Sequence, residues 1–293
     1  MASETTEWTV RRILDWTIGY LKEHGSESPR LEAEVLLAHA CGWQRIQLYT
    51  HFEDVLSPEV RSRMREFVKR RAAHEPVAYL VGYREFFSLR FEVGPGVFIP
   101  RPETETLVLQ SLEILKAGGE SPPRVLDLCT GSGAIGVSIA VNAPTAQVTC
   151  IDKNDAPVAF ATRNAVKHDV SHRVQVLQGD LFEPLPEHAT FSVIASNPPY
   201  VTTAEIERLA ADVKSYEPHA ALDGGSDGLD VLRRIVSDAS QHLCPGGWIL
   251  FELSPEQGDA AQQILRDGGF NEVSTIKDLA GGVRVVKGRR PAG

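Results

Sequence analysis

The sequence predicts an α/β protein, a doubly wound parallel sheet that follows a small all-helical domain. Helical periodicity dominates residues 1 to about 80, whereas strand-like apolar runs alternate with helical segments from Thr104 onward. A glycine-rich turn joins the first of those runs to the next helical segment. Strand–helix alternation of this kind favours parallel strands with helices on both faces of the sheet.

The helical domain is predicted over residues 1–82. Its first helical pattern places five apolar residues on one face: Val10, Ile13, Leu14, Ile18 and Leu21. A second pattern begins with the cap residue Ser28 before a proline and stops at Gly42. A third begins in the same way at Ser57 and ends before Pro76. We therefore expect a bundle of three or four short helices.

A β-hairpin linker is predicted over 83–103, where YREFFSLRFEVGPGVFIP alternates apolar and polar residues and carries turn glycines. The α/β domain should then occupy 104–293. Its strands are predicted at Val125–Leu128, Val148–Ile151, Val174–Leu177, Phe191–Ala195 and Ile249–Leu253. Helices should begin near Ala134, Ala156, Leu229 and Pro255. Two last strand-like runs, joined by Gly281 and Gly282, predict a terminal antiparallel hairpin.

Composition narrows the class of protein. Apolar residues make up 42% of the chain and charged residues 24%, which is typical of a globular protein with a core. No apolar run approaches the roughly 20 residues of a membrane span. The net charge of −9 gives no support to broad phosphate binding, so we expect no nucleic-acid partner. The four cysteines match no zinc or redox spacing. We therefore expect a cytoplasmic protein without a metal. The sequence carries no signal of oligomeric state, and we expect a monomer.

The turn VLDLCTGSGAIG has the pattern of a nucleotide-cofactor loop. Gly131, Gly133 and Gly136 form G-x-G-x-x-G, and Asp152 follows about 20 residues on, as in dinucleotide-binding proteins. NAD is therefore one candidate cofactor. Asp127 favours another, because a carboxylate just before the loop repels a pyrophosphate but attracts the sulfonium and ammonium groups of S-adenosylmethionine. Alternatively, Asp127 only caps the turn through backbone N–H groups.

The fourth predicted strand ends in Asn197-Pro198-Pro199-Tyr200. Proline has no N–H donor and fixes the backbone, so the preceding carbonyls become oriented acceptors, and the asparagine side chain adds another. Two acceptors can orient a planar –NH₂ group that is conjugated to a carbonyl or a ring. A tyrosine ring offers such a group a flat surface. An electrophilic methyl group held by the glycine loop would complete a methyl-transfer site.

Several interpretations of this tetrapeptide remain open. It can be a rigid turn, since Asn-Pro is common where a strand ends. The –NH₂ group can belong to an amide or to adenine N6 or cytosine N4 of DNA or RNA. Two alternatives for the whole protein belong to other functional classes: an NAD-dependent oxidoreductase and a non-catalytic scaffold. Asp180, which follows the third strand, would join Asp127 and Asp152 at the sheet edge where open α/β sheets bind ligands.

Nearly the whole chain resembles the release-factor glutamine methyltransferase family (the HemK/PrmC type). The resemblance rests on the linker PVAYLVGYREFFSLRFEVGPGVFIPRPETETLV with its Pro-Arg-Pro-Glu-Thr-Glu signature at Pro100–Glu105, and on VLDLCTGSGAIG and IASNPPY. Later blocks, SYEPHAALDGGSDGLDVLRRI and DLAGGVRVVKGRR, match as well. Cys129 stands where Gly is common in the family, and Leu181 stands where some members have Trp.

The resemblance implies a class I methyltransferase fold with a seven-stranded sheet. It implies S-adenosylmethionine as cofactor and peptide-chain release factors as partners, methylated on the side-chain amide N5 of the glutamine in their Gly-Gly-Gln motif. The cofactor residues carried over are Cys129, Thr130, Gly131, Ser132, Gly133, Asp127, Asp152, Asp180, Leu181 and Asn197. The substrate residues are Asn197, Pro198, Pro199 and Tyr200, of which Asn197, Pro198 and Tyr200 are the expected catalytic residues.

Overall fold

The structure is a computed structural model that describes residues 7–118, 122–278 and 280–292. Residues 1–6 of the predicted helical domain therefore lie outside the described residues. The chain divides into two compact units. One comprises the residues up to Gly82 together with Ala211–Tyr216, and the other comprises Tyr83–Ala210 and Glu217–Gly293. Among the described residues, no helix has both the length and the apolar character that crossing a bilayer requires.

The smaller unit is helical up to Gly82. Its helices are α1 (Val10–Glu23), α2 (Pro29–Cys41), α3 (Arg45–Thr50), α4 (Pro58–Ala72) and α5 (Val77–Val81). Two of the predicted end signals act as expected: the Ser57 side chain accepts a hydrogen bond from the Val60 N–H of α4, and Gly42 ends α2 with a φ of 72°. Ser28 precedes α2 as predicted, but its side chain makes no capping hydrogen bond. This described part has five helices rather than the three or four that we expected. The sequence did not indicate the short helices α3 and α5, because neither is long enough to show a periodic pattern.

A hairpin of strands β1 (Tyr83–Phe86) and β2 (Leu89–Glu92) opens the larger unit. Its turn differs from the glycine turn that we expected. Phe87 and Ser88 form it, with φ values of 50° and 60°, and the glycines of this segment come after the hairpin. A carboxylate oxygen of Glu105 accepts a hydrogen bond from the Phe87 N–H at 2.9 Å, which stabilises this strained turn. Glu105 is the last residue of the Pro-Arg-Pro-Glu-Thr-Glu signature.

A seven-stranded sheet forms the centre of the larger unit, as the family resemblance implied. Its strands are β3 (Arg124–Leu128), β4 (Gln147–Asp152), β5 (Val174–Gln178), β6 (Phe191–Ser196), β7 (Leu243–Glu252), β8 (Asn271–Lys277) and β9 (Val283–Arg289). They lie in the order β5-β4-β3-β6-β7-β9-β8. The five strands from β5 to β7 run parallel, and β9 is antiparallel to both of its neighbours. The predicted terminal hairpin is therefore confirmed.

Helices cover the two faces of this sheet. They are α6 (Glu105–Lys116), α7 (Ala134–Asn142), α8 (Asp155–Lys167), α11 (Asp230–His242) and α12 (Gly258–Asp267). The short helix α9 (Thr203–Ile206) also belongs to the larger unit, whereas α10 (Ala211–Tyr216) belongs to the smaller one. Strand β3 shows how the faces divide. Val125 packs in the core that contains α6 and α7, whereas Leu126 and Leu128 pack in the core that contains α11 and α12. In the sheet, β3 lies between β4 and β6. The chain adds β4 and β5 on one side of β3 and then continues with β6 and β7 on the other side. Open α/β sheets bind ligands where the strand order reverses in this way.

Candidate active site

A cavity of about 350 Å³ lies at the carboxyl ends of the parallel strands, and all the residues that line it belong to the larger unit. It brings together most of the site residues predicted from the sequence. These are Cys129, Thr130, Gly131, Ser132, Asp152, Asp180, Leu181, Asn197, Pro198, Pro199 and Tyr200. Two predicted cofactor residues, Asp127 and Gly133, do not line it. The glycine loop and the Asn-Pro-Pro-Tyr segment therefore share one cavity.

The three glycines of the loop meet three different requirements. Gly131 has a φ of 56° and open space where a Cβ would lie, so a ligand can approach the backbone there. A Cβ on Gly133 would lie 3.1 Å from the Cα of Ala161, which means that this glycine allows α7 and α8 to approach closely. A Cβ on Gly136 would lie 2.4 Å from the sulfur of Cys150, so this glycine lets α7 pack against the sheet. Only the first of them faces the cavity.

Asp127 stabilises the loop from inside the protein. Its side chain is fully buried, and its Oδ2 accepts hydrogen bonds from the Gly136 N–H at 2.9 Å and the Thr130 hydroxyl at 2.5 Å. Burial raises the pKa of this carboxyl to about 7. Because side chains alternate along β3, Asp127 lies on the α7 face of the sheet with Val125. These contacts are the ones expected if Asp127 caps the turn, the alternative to a direct role in binding the cofactor.

Asp152, the last residue of β4, supports the loop and also lines the cavity. Its Oδ2 accepts the Gly131 N–H at 3.0 Å, and its Oδ1 accepts the Asn154 N–H at 3.1 Å. Burial raises the pKa of this carboxyl. A carboxylate oxygen can accept a second hydrogen bond, so both oxygens can still bind a pair of neighbouring hydroxyl groups in the cavity.

The cavity also contains an ion pair that the sequence alone did not indicate. Asp180 lies 3.0 Å from a guanidinium nitrogen of Arg234 and 3.3 Å from the Lys153 ammonium, and all three residues line the cavity. Hydrogen bonding from Arg234 lowers the pKa of Asp180. Leu181 follows with a φ of 55° and offers an apolar surface beside this pair. Arg234 lies on α11, more than fifty residues from Asp180, so only the fold brings the two together.

The Asn197–Tyr200 segment begins where β6 ends. There the Ser196 hydroxyl donates a hydrogen bond to the Leu128 carbonyl at 2.8 Å, which fixes the strand end against β3. The Asn197 Nδ2 donates to the Thr104 hydroxyl at 3.4 Å. Burial raises the pKa of Tyr200, so its phenol is neutral and does not act as a base. Among the residues described as lining the cavity, none is a histidine.

A glycine-rich loop, Leu222–Gly228, holds the backbone of the tetrapeptide. A Cβ on Gly224 would lie 2.6 Å from the Pro199 carbonyl oxygen, and one on Gly228 would lie 2.2 Å from the Tyr200 carbonyl oxygen. The Tyr200 carbonyl also accepts a hydrogen bond from the Gln257 side chain at 2.9 Å. Only glycine fits at such distances. The Gly-Gly and Ser-Asp-Gly pattern in this loop is the sequence signal that could have indicated this role.

The rim of the cavity is fixed by a buried ion pair. Glu217, almost fully buried, bonds to the Arg101 guanidinium and accepts the Ile99 N–H at 3.0 Å. Arg101 in turn donates to the Ile99 carbonyl at 2.7 Å and lies over the ring of Phe98, at 4.6 Å from its centroid. Phe98 lines the cavity on one side, and Pro218 lines it next to Glu217. The pair therefore joins two chain segments that form the rim.

The arrangement is suited to transfer chemistry that relies on oriented hydrogen-bond partners. Over the described ranges, no group of three His, Cys, Asp or Glu residues is placed to hold a metal ion. The cavity instead combines backbone and carboxylate hydrogen-bond partners at one end with oriented acceptors and a neutral phenol at the other.

Two family models match the chain. Residues 12–82 match the PrmC N-terminal domain, and residues 93–214 match the methyltransferase small domain. The chain also resembles solved methyltransferases in fold. One is a 16S rRNA methyltransferase of T. thermophilus in complex with AdoMet and guanosine (TM-score 0.52, 23% identity, 71% of this chain, 49% of that chain). Another is the N-terminal domain of human METTL16 in complex with SAH (TM-score 0.52, 16% identity, 70% of this chain, 76% of that chain).

Curated relatives match over almost the full length of the chain. The release factor glutamine methyltransferase of Rhodopirellula baltica is 45% identical, over 97% of each chain. That of Geobacter sulfurreducens is 44% identical, over 99% of each chain. Identity of this extent over nearly the whole chain shows that the chain belongs to the release factor glutamine methyltransferase family.

Proposed function

We propose that this protein transfers the methyl group of S-adenosylmethionine to the side-chain amide nitrogen (N5) of a glutamine in peptide-chain release factors, namely the glutamine of their Gly-Gly-Gln motif. The observation that carries the proposal is a single cavity that contains both the glycine loop and the Asn197–Tyr200 segment. Membership of the family supports the choice of an amide over a nucleobase as the group that receives the methyl.

The glycine loop and its surroundings fit S-adenosylmethionine. Asp152 can accept hydrogen bonds from a ribose diol, and the open space at Gly131 admits a ligand close to the backbone. Leu181 offers an apolar contact for a flat base, beside the polar side chain of Asp180. When bound, S-adenosylmethionine supplies an electrophilic methyl group on a sulfonium, and the carboxylate of Asp152, which lines the cavity beside the loop, attracts that positive charge.

The tetrapeptide would make an amide nitrogen reactive by orienting it. The lone pair of an amide nitrogen is delocalised into its carbonyl, so the nitrogen is a weak nucleophile. The Asn197 side-chain oxygen and the Pro198 carbonyl can accept the two hydrogens of the –NH₂ group, which favours positive charge on the nitrogen as the new bond forms. The nitrogen–carbon bond forms as the sulfur–carbon bond breaks, and the amide then loses a proton to water. Holding the amide nitrogen and the methyl group in line accelerates the transfer, so a side-chain base is not required.

A methyl-transfer assay tests the proposal. Labelled S-adenosylmethionine is offered with a purified release factor, with its Gln→Ala variant at the Gly-Gly-Gln motif, and with DNA and RNA. We expect label on the unmodified factor only. Label on nucleic acid, with none on the factor, would contradict the proposed substrate while leaving the amino-group chemistry in place.

Variants separate the chemical step from binding. Asn197→Ala should lower kcat by about 100-fold or more, because an oriented acceptor is lost in the transition state. Binding of S-adenosylmethionine by this variant should remain close to that of the wild type. Asn142→Ala is a matched control, since Asn142 lies at the end of α7 and is not among the residues that line the cavity. An Asn197→Ala enzyme with wild-type turnover would contradict the gripping mechanism.

A further inference from the structure

A buried asparagine on α8, Asn164, joins two segments that are far apart in the sequence. Its Oδ1 accepts a hydrogen bond from the Glu92 N–H at 2.7 Å, at the end of β2. Its Nδ2 donates to the Glu92 carbonyl at 3.0 Å and to the Ser132 carbonyl of the glycine loop at 2.9 Å. One side chain is therefore bonded to the hairpin and to the loop at the same time.

The partners of Asn164 fix the orientation of its amide. The oxygen faces an N–H group and the nitrogen faces two carbonyl oxygens, so an amide turned over would place donor against donor and acceptor against acceptor. Both hydrogens of the –NH₂ group are used. Burying an amide is costly unless it is hydrogen-bonded, and an apolar side chain would fill the space at lower cost. The bonds, rather than the volume, therefore account for an asparagine at this position.

The hairpin end and the loop both pack closely on α8 within about one turn of Asn164. A Cβ on Gly94, which follows β2, would lie 3.0 Å from the ring of Phe160. A Cβ on Gly133 of the loop would lie 3.1 Å from the Cα of Ala161. Glycine thus brings both backbones close to the helix, and the asparagine amide supplies the polar contacts that join them.

We propose that Asn164 is a positioning residue for the cofactor, which holds the Ser132 backbone of the glycine loop by tying it to the end of β2. This inference rests on the proposed function, in which the loop binds S-adenosylmethionine. Ser132 lines the cavity, whereas Asn164 is not among the residues described as lining it, so Asn164 acts through the loop. If the tie is broken, binding of the cofactor has to restore the position of the loop, and the affinity falls.

Asn164→Asp tests the tie in the full-length protein. The change keeps an acceptor for the Glu92 N–H but removes both donors and places a carboxyl oxygen against the two carbonyls. The dissociation constant of S-adenosylmethionine, measured by calorimetry, should rise about tenfold or more, because the buried Ser132 carbonyl loses its donor. Loss of folded molecules alone would lower the binding stoichiometry and leave the dissociation constant of the remainder unchanged. The control is Asn142→Asp, since Asn142 donates to the Ser138 carbonyl of its own helix, α7, at 2.9 Å. This control should bind the cofactor as the wild type does.

Hydrogen exchange in the unmodified protein gives a second test, which does not depend on how a variant folds. Two N–H groups of the same hairpin donate to side-chain oxygens: that of Glu92 to Asn164 and that of Phe87 to Glu105. Neither Glu92 nor Phe87 is among the residues described as lining the cavity. Because Glu92 is tied to the loop through Asn164, S-adenosylmethionine should slow exchange at Glu92 at least about threefold more than at Phe87.

Either of two results would overturn the proposal. One is equal slowing of exchange at Glu92 and Phe87, and the other is an Asn164→Asp protein with the wild-type dissociation constant. Neither readout uses a release factor, so this test is separate from that of the methyl acceptor. A protein that shows both expected effects but does not methylate the factor would contradict the proposed function and leave the role of Asn164 in place.

Discussion

Replacing Gly228 with alanine tests whether the loop Leu222–Gly228 sets the position of the Asn-Pro-Pro-Tyr backbone. Gly228 has a φ of 74°, and an added Cβ would lie 2.2 Å from the Tyr200 carbonyl oxygen and 2.3 Å from the Gln257 side-chain nitrogen. The first of these neighbours is a backbone atom, so no side-chain rotation can relieve the clash. The tetrapeptide or the loop must move.

The size of the effect follows from these contacts. Left-handed backbone costs alanine about 1 kcal/mol relative to glycine. Relief of the clash to 3.0 Å needs a shift of about 0.8 Å (3.0 − 2.2) at Tyr200. The bonds from Gln257 to the carbonyls of Tyr200 and Asp227, 2.9 and 3.1 Å long, would be strained or lost at about 1 kcal/mol each. We therefore expect a destabilisation of about 3 kcal/mol, and a kcat about 100-fold lower because the substrate amide is misplaced.

Gly269→Ala is the matched control. Gly269 has a φ of 82° but nothing lies within 4 Å of the place where its Cβ would be, so only the backbone cost of about 1 kcal/mol applies. Denaturant unfolding and methyl transfer to a release factor should be measured for both variants. A Gly228→Ala variant that loses no more stability than Gly269→Ala and keeps the wild-type kcat would show that the loop does not set the position of the tetrapeptide.

Three other changes give separate results. Asp152→Ala should weaken binding of S-adenosylmethionine by about tenfold or more in calorimetry, because acceptors for a ribose diol are lost; unchanged affinity would contradict the proposed contact. Glu252 has a raised pKa, so its contribution to stability is present below its ordinary value of 4.5 and is lost as the pH rises through about 7. Glu252→Gln should thus gain up to about 3 kcal/mol over the wild type between pH 4.5 and 8, and an equal pH dependence of unfolding would contradict this. Glu217→Gln should lower stability by about 1–3 kcal/mol by leaving Arg101 without its charged partner, and an unchanged Tm would exclude that role.

Much of the fold could be predicted from the sequence because periodicity and end signals are local. The five parallel strands and the terminal hairpin lie where apolar runs and glycines indicated them. The turn at Phe87 and Ser88 could not be predicted, because Glu105, a residue distant in the sequence, stabilises it. The grouping of Ala211–Tyr216 with the helical unit depends on tertiary contacts and has no local signal.

The candidate site was predictable where a residue follows a strand and faces the cavity. Asp152 and the Asn197–Tyr200 segment are examples. Asp127 precedes the end of β3 by one residue, and strand alternation could have placed it on the opposite face from Leu126 and Leu128. Arg234 was not singled out, since it lies on α11, far from Asp180 in sequence, and meets it only in the folded protein.

The most direct test of the central claim is to locate the methyl group on the product. A release factor incubated with the enzyme and S-adenosylmethionine should be digested and its peptides fragmented in a mass spectrometer. We expect one added methyl group, on the side-chain amide of the Gly-Gly-Gln glutamine, and far less of it after the same incubation with Asn197→Ala. A methyl group on another residue, or an unmodified glutamine with an active enzyme, would contradict the proposed function.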